Sequence, residues 1–402
     1  MANSRTAREV HSPSDPLPDP PFDLGGRVVA RGEELVLGDA YAHRPVVGVD
    51  AAEGDWVVVH VVARRGPTLV ADAVEVVGRD VRIERGPGEA DRLRARERGL
   101  HLHQRAQVID AVRGFFRARG SVEVETPFAV PCPGLDVHLD APAVDDRYWI
   151  TSPEYQMKRL LAGGMPRIHQ LARCHRRGEH GPRHNPEFTM LEWYRTFAGV
   201  DSMIEETEAL VVHTAVTLRG RAELVTPDGA HVPLRPPFER LPVATAFARH
   251  AGVSEGEALR LAAEDEERFY RLLVDEVEPA LAEGPPVVLL DYPIEQASLA
   301  RPRPLDPRVA ERFELYVGGV ELCNGFGELT DPVVQRARFS KDQEVRRARG
   351  LPVYPLDERF LAALEEGLPP CTGNALGLDR LVMLVVGARE LGDVLAFPED
   401  WV

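Results

Sequence analysis

The sequence predicts an α+β chain in two parts, a small all-β module followed by a larger domain of mixed strands and helices. Three observations carry this. Between residues 24 and 80, short Val-rich runs (27–30, 46–49, 56–63, 68–77) are separated by Gly, Asp and Glu clusters at close spacing, the pattern of a small barrel or sandwich. Further on, Val108, Ile109, Val112, Phe115 and Phe116 recur at i, i+1, i+4, i+7 and i+8, one buried helical face. From Val122 to Val402, strand and helix patterns alternate without the βαβ rhythm of a doubly wound sheet.

Taken in order, residues 1–23 are rich in Pro, Ser and Asp and lack the apolar core of a signal peptide, so a disordered tail on a cytoplasmic protein is expected. The β-module with its linker occupies 24–95. Over residues 24–80 six arginines face nine acids, and Tyr41 and Trp56 are the only aromatics, a poor platform for single-stranded nucleic acid. The larger domain occupies 96–402. Gly120 ends the first helix, Val122–Glu125 alternates as a strand, and Pro127 stops it. Ser202 with Glu205 predicts a capping box opening a helix, and 287–290 reads as a buried strand. Residues 235–286 read as helical material without legible chemistry.

At 402 residues the chain has room for two or three domains. Its net charge of −16 gives no global field to draw in a phosphate backbone. Lys158 and Lys341 are the only lysines among 48 basic residues, as a GC-rich coding sequence would produce. The four cysteines are far apart, without CxxC or zinc spacing, and read as reduced thiols. No apolar run approaches the ~20 residues of a membrane helix.

Three segments carry chemistry. In Arg173–Arg195, two apolar-containing stretches flank Gly178-Glu-His-Gly-Pro182, predicting a long hairpin. Its Arg- and His-dense loop beside Phe188 suits a nucleotide, with charge for phosphates and a ring for the base. A solvated charged loop is the alternative. In Arg312–Asp331, Gly318-Gly319 predicts a two-residue hairpin that sets 317 against 320, 316 against 321 and 314 against 323. Glu314 and Glu321 then become diagonal neighbours on one face. Such a pair suits Mg²⁺ carried on a nucleotide phosphate, or is simply two solvated strand-edge acids. Strict alternation sends Asn324, Phe326 and Glu328 to the other face, unless a bulge near 323–325 brings them back. In 371–387, a small-residue strand runs into an apolar helix. Its glycines fit a phosphate loop or close packing on a sheet, and Arg380 in the helix's first turn opposes the macrodipole unless an anion meets it.

These segments resemble the three signature motifs of class II aminoacyl-tRNA synthetases: Phe115–Pro127, the 173–195 hairpin, and 373–387. They occur in order, with Thr151–Leu160 and Glu321–Asp331 between them, over roughly 98–402. Within that class the lysyl-tRNA synthetase branch is nearest, and more narrowly its truncated paralogues, which join (R)-β-lysine to elongation factor P. Features pointing to that ligase branch are Glu179 one place later than the synthetases' acid, the stretches His184–Arg195 and Gln296–Arg301, Ala375 where a glycine is usual, and the missing large basic anticodon domain. The acidic module, an OB-like remnant, departs from those ligases, which begin almost at the catalytic domain.

The resemblance implies an antiparallel sheet flanked by helices, a homodimer built on the first motif, and a two-step reaction. ATP and a lysine-type amino acid give an adenylate and diphosphate; an amine of the acceptor, a lysine of elongation factor P, then takes the acyl group and releases AMP. It implies that Arg176 holds the α-phosphate and His184 and Arg380 the outer phosphates, that Phe188 stacks on adenine, that Glu179 and Asn185 belong to the ATP site, and that Glu314 and Glu321 ligate Mg²⁺. Glu154 is implied at the substrate's α-amino end, Glu192, Tyr194 and Glu328 at its distal ammonium, and Asn324, Phe326 and Ala375 along the pocket. Lysyl-tRNA synthetase with a reduced anticodon domain is the second reading; tRNA is otherwise not expected as a partner.

Overall fold

The computed structural model describes residues 9–81 and 88–402. The chain divides into two compact units after His103, inside the helix Arg98–Ala118, rather than at the expected boundary near residue 95.

In the first unit, five strands close into a barrel in the order Phe22–Arg31, Leu35–Gly38, His43–Val47, Thr68–Gly78, Trp56–Arg65, the last pairing back with the first. His43–Val47 and Thr68–Gly78 run parallel and the other pairs antiparallel, the OB-like architecture expected. Alternation fills the barrel: Leu24, Leu37, Val46, Val57, Val59 and Val61 are wholly buried. Leu35–Gly38 was not among the expected runs, because four residues between acids give too short a pattern to show a period. The tail expectation needs correction. Residues 1–8 lie outside the described residues, but Val10–His11 pairs with Phe22–Arg31, and Arg44 and Arg64 donate to the carbonyls of Pro13 and Leu17. A proline-rich segment is short of N–H donors, and arginine side chains satisfy its carbonyls here.

The second unit is built on one large sheet. Its strands run in the order Glu239–Pro242, Val287–Pro293, Asp306–Val317, Val320–Gly327, Cys371–Gly377, Glu187–Thr196, Arg167–His175, Val122–Glu123, with Pro302–Arg303 beside Asp306–Val317. Only the outermost pair at each edge is parallel. Period two sorts the side chains. Leu191, Trp193, Phe313, Leu315, Cys323 and Leu376 pack, from one face, with residues of the helices Arg98–Ala118, Val200–Arg219 and Leu378–Val386. The alternate residues of the same strands form the opposite face, which carries the chemistry. In the first helix the predicted face is buried, with Val108, Val112, Phe115 and Phe116 at most 2% exposed.

Two local expectations change. Gly199, in extended conformation, caps the helix Val200–Arg219, so Ser202 lies within its first turn and no capping box forms; burial of Val200, Met203 and Ile204 sets the earlier start. The 235–286 stretch does contain helices, Val243–His250, Glu255–Glu264 and Glu266–Leu272, with Phe247 stacked on Phe269, but it also supplies an edge strand and an acid of the site.

Arg105 of the first helix forms a 2.6 Å ion pair with Asp379, which is 2% exposed and also accepts from the Thr189 backbone. Removing one partner strands a buried charge, at about 3–5 kcal/mol. Arg105→Met should therefore lower the melting temperature by about 10 °C in a thermal unfolding scan, while Arg113→Met, whose pair with Glu123 is exposed, should change it by about 1 °C.

Candidate active site

A cavity of about 350 Å³ lies on the open face of the sheet. The 173–195 hairpin forms one side, closed where the Arg176 amide donates to the Pro186 carbonyl. Its loop is largely exposed but tied to the rest of the domain: Arg183 donates to the Gly319 carbonyl and the Leu391 amide to that of Pro182. Arg176, Glu179, His184, Asn185 and Phe188 all line the cavity. The Arg176 guanidinium lies 5.2 Å from the Phe188 ring centre and 3.7 Å from Glu179, and its buried Nε has no partner, a donor left over for an anion. Asn185 is already engaged, its amide donating to the Glu187 carbonyl and accepting from the Glu399 amide.

Arg380 enters from the helix of the third motif, Leu378–Val386. It donates to the Glu321 carbonyl at 2.9 Å and meets His184 Nε2 at 2.7 Å. Burial first, and then Arg380, push the His184 pKa below the ordinary histidine value. The ring is neutral near pH 7, and with Nε2 accepting, its proton sits on Nδ1.

The second hairpin turns at Gly318 and Gly319, both with φ above +50°, as a type I′ turn needs. Tyr316 opposes Glu321 as predicted, but Leu315 opposes Cys323 and Glu314 opposes Asn324. The predicted 314–323 pairing is thus shifted by one residue, because a bulge inserts Leu322. Leu322 and Cys323 are accordingly buried consecutively, where strict alternation would expose one. The bulge lies just before the stretch in which one was expected, and puts Glu314, Glu321, Asn324 and Phe326 on one face.

Glu321 lines the cavity while Glu314 lies beneath it. Glu314 accepts from Arg312 at 2.7 Å, Tyr292 at 2.5 Å and Tyr316 at 2.9 Å. Glu278, from the stretch without legible chemistry, joins them: Tyr316 also donates to it at 3.3 Å. Burial, then Glu314, then Glu321 push its pKa up to about 7. Glu321 is raised by its surroundings and then by Glu314, although its side chain is 39% exposed and solvent relieves part of that push. Among the described residues, no group of three or more His, Cys, Asp or Glu forms a metal cage by itself. Hard oxygen donors under mutual repulsion do fit a divalent cation that brings further oxygens with it.

The amino-acid pocket separates into a lining and a floor. Glu154, Asn324, Phe326 and Ala375 line the cavity. Ala375 pairs with Glu192 on one side and Asn324 on the other, so its methyl stands between them. Glu192, Tyr194 and Glu328, the residues expected at the distal ammonium, form the floor beneath this lining, each at most 2% exposed. Gly373 allows this floor to pack: a Cβ there would collide with Tyr194 and Glu328.

Lys158 was not predicted as a site residue. Wholly buried, it pairs with Glu154 at 2.6 Å and Glu328 at 2.5 Å. Among the described residues Glu192 forms no ion pair; it accepts from Ser152 at 2.8 Å and Tyr194 at 2.5 Å. Burial, then Glu154, raise the Glu192 pKa to about 8, while burial and Glu154 hold Glu328 up at about 7 against the pull of Lys158. Three acids in one pocket with one resident ammonium, which pairs with two of them, leave a place that calls for more positive charge. The one available signal for Lys158 was its rarity: in a chain of 46 arginines a lysine marks a site where a compact ammonium fits. Arg312, Tyr292, Glu278 and Ser152 carried no signal above background, since only long-range tertiary packing brings them to the site.

Comparison with known proteins agrees with this geometry. Residues 90–401 match the family model described as tRNA synthetases class II (D, K and N). The chain is 42% identical over 316 residues to a protein of Hamiltonella defensa, covering 75% of this chain and 95% of the relative. It is 42% identical over 315 residues to one of Proteus mirabilis (74% and 94%), and 40% identical over 315 residues to one of Vibrio cholerae (74% and 94%). All three relatives are named elongation factor P–(R)-beta-lysine ligase. The OB-like barrel lies outside the residues matched by the family model.

Proposed function

Because the chain belongs to the class II tRNA synthetases of the D, K and N family, we propose that it activates a lysine-type amino acid, (R)-β-lysine, with ATP and transfers it to a lysine side chain of elongation factor P. The observation that carries the reading is the junction in one cavity of an arginine-lined wall and an acidic floor and rim, where Lys158 pairs with Glu154 and Glu328 and Glu192 is held by hydroxyls instead. A dicationic amino acid neutralises that floor; a neutral or acidic one leaves it uncompensated.

In the first step the amino acid's carboxylate attacks the α-phosphorus of ATP in line, and diphosphate departs. Arg176 meets the α-phosphate with its unpartnered Nε and the fork of its guanidinium. Arg380 and the Nδ1–H of His184 face the outer phosphates, and Phe188 offers its ring to adenine. Glu314 and Glu321 would hold Mg²⁺, which supplies charge neutralisation between phosphates. Glu154 takes the ammonium near the carboxylate, and Glu192, oriented by Ser152 and Tyr194, takes the distal one. In the second step the acceptor's neutral amine attacks the acyl carbon, the bond to the phosphate oxygen breaks, and AMP leaves. The chain supplies no nucleophile; its contribution is position and field.

Mg²⁺-dependent diphosphate exchange should be faster with (R)-β-lysine than with α-lysine, and intact-mass analysis should find elongation factor P heavier by one such residue. Exchange with α-lysine alone, together with charging of tRNA, would instead support a lysyl-tRNA synthetase with a reduced anticodon domain, the reading that the OB-like barrel favours and its acidic charge does not. Ala375→Gly should move the exchange preference toward α-lysine by about tenfold, since one methyl in a pocket is worth about 1–3 kcal/mol; unchanged selectivity would remove Ala375 from the pocket argument. A homodimer is proposed from the first motif, and light scattering measures it.

A further inference from the structure

A second cavity, of about 370 Å³, adjoins the first, and Asp136, Tyr155, Ser298 and Leu299 line both. Its wall holds an unexplained group. Gln335 is 1% exposed, and among the described residues neither its amide nitrogen nor its amide oxygen has a partner. Gln296, 6% exposed, accepts from the Tyr270 hydroxyl while its amide nitrogen stays unpartnered. Buried amides left open are costly unless something meets them.

The charges show what would. Arg312 and Arg338 line the cavity but are turned to other partners: Arg312 to Glu314 and the Gln296 carbonyl, Arg338 to the carbonyls of Ser298 and Ala300. Arg349 pairs with Glu266. Asp136 and Asp342 form no ion pair among the described residues; burial, then Asp136, push the Asp342 pKa up to about 6 against the longer-range pull of Lys341, Arg338 and Arg346, and Lys341 also lines the cavity. Tyr155, Tyr270 and Phe339 provide apolar wall. Two carboxylates without a direct ion pair, an open amide and aromatic wall together match an alkyl chain that ends in an ammonium.

We propose that this second cavity is the docking place of the acceptor's lysine side chain, holding its ammonium at Asp342 and Gln335 on the way from solvent to the adenylate. The amino acid being activated already has its own floor in the first cavity, so the second serves the other amine. The inference rests on the ligase reading above.

The test separates the half-reactions. Asp342→Asn and Gln335→Leu should leave diphosphate exchange with (R)-β-lysine within about twofold of wild type. Both should raise the KM for elongation factor P about tenfold with kcat little changed, and Asp342→Glu should restore most of the loss. An unchanged acceptor KM with exchange intact would overturn the proposal. So would a raised amino-acid KM in exchange, which would make the cavity an entrance for the free amino acid, or loss of exchange in both variants, which would make it part of the reaction cavity. Failure of the ligase reading is distinct: wild-type protein would then show no exchange with either lysine, or exchange with no mass added to elongation factor P.

Discussion

Glu192→Gln should give a protein that is more stable and nearly inactive. Glu192 is 1% exposed, and its pKa is raised to about 8 by burial and Glu154. An acid whose folded pKa lies above its unfolded value near 4.5 stabilises the fold fully below that value and loses this contribution as pH rises through the folded one. The ligand-free protein should therefore lose stability between about pH 4.5 and 8, with Glu328 and Glu278, raised to about 7, adding to the slope. Glutamine keeps the shape and one acceptor without the charge, so the melting temperature at pH 8 should rise by about 5 °C and its fall with pH should flatten. Amino-acid activation should drop about 10²- to 10³-fold in kcat/KM, because the distal ammonium loses its buried counter-charge. A variant that destabilised at pH 8, or that activated normally, would show that Glu192 is structural.

Arg176→Ala should reduce kcat for diphosphate exchange by about 10²- to 10³-fold, the usual effect of deleting one donor aimed at developing charge, with a smaller change in the KM for the amino acid. Among the described residues its guanidinium meets only Glu179 at 3.7 Å and the Phe188 ring, so folding should be little affected. Arg176→Lys should recover little, since a point charge lacks the planar fork. An effect confined to the amino-acid KM would place this residue on the wrong side of the cavity.

What the sequence made legible followed from local pattern. Both hairpins, the face of the first helix and the strand-to-helix passage of the third motif are period and turn chemistry, and they brought Arg176, His184, Phe188 and Arg380 to one cavity. What escaped depended on tertiary context. The Leu322 bulge has no marker of its own, yet it decides that Asn324 and Phe326 share a face with Glu314. Glu278 and Tyr292 reach the site only because the strand Val287–Pro293 packs beside Asp306–Val317. Lys158 reads as an ordinary helical cation until burial shows that two acids close on it. The depth of Glu192, Tyr194 and Glu328 behind the lining could not be read either, since alternation gives the face of a strand but not which residues a neighbouring glycine lets sink.

The scarcity of lysine has a chemical consequence. Acyl-adenylates that escape an active site acylate whatever amines they meet. Of this chain's two lysines, Lys158 is wholly buried and doubly paired, and Lys341 is exposed at the rim of the second cavity. The surface is otherwise armoured with guanidinium groups, which do not act as nucleophiles at neutral pH. A leaking intermediate thus finds one lysine amine on the chain, beside the path proposed for the true acceptor, so self-acylation at that residue reports where the activated acyl group emerges.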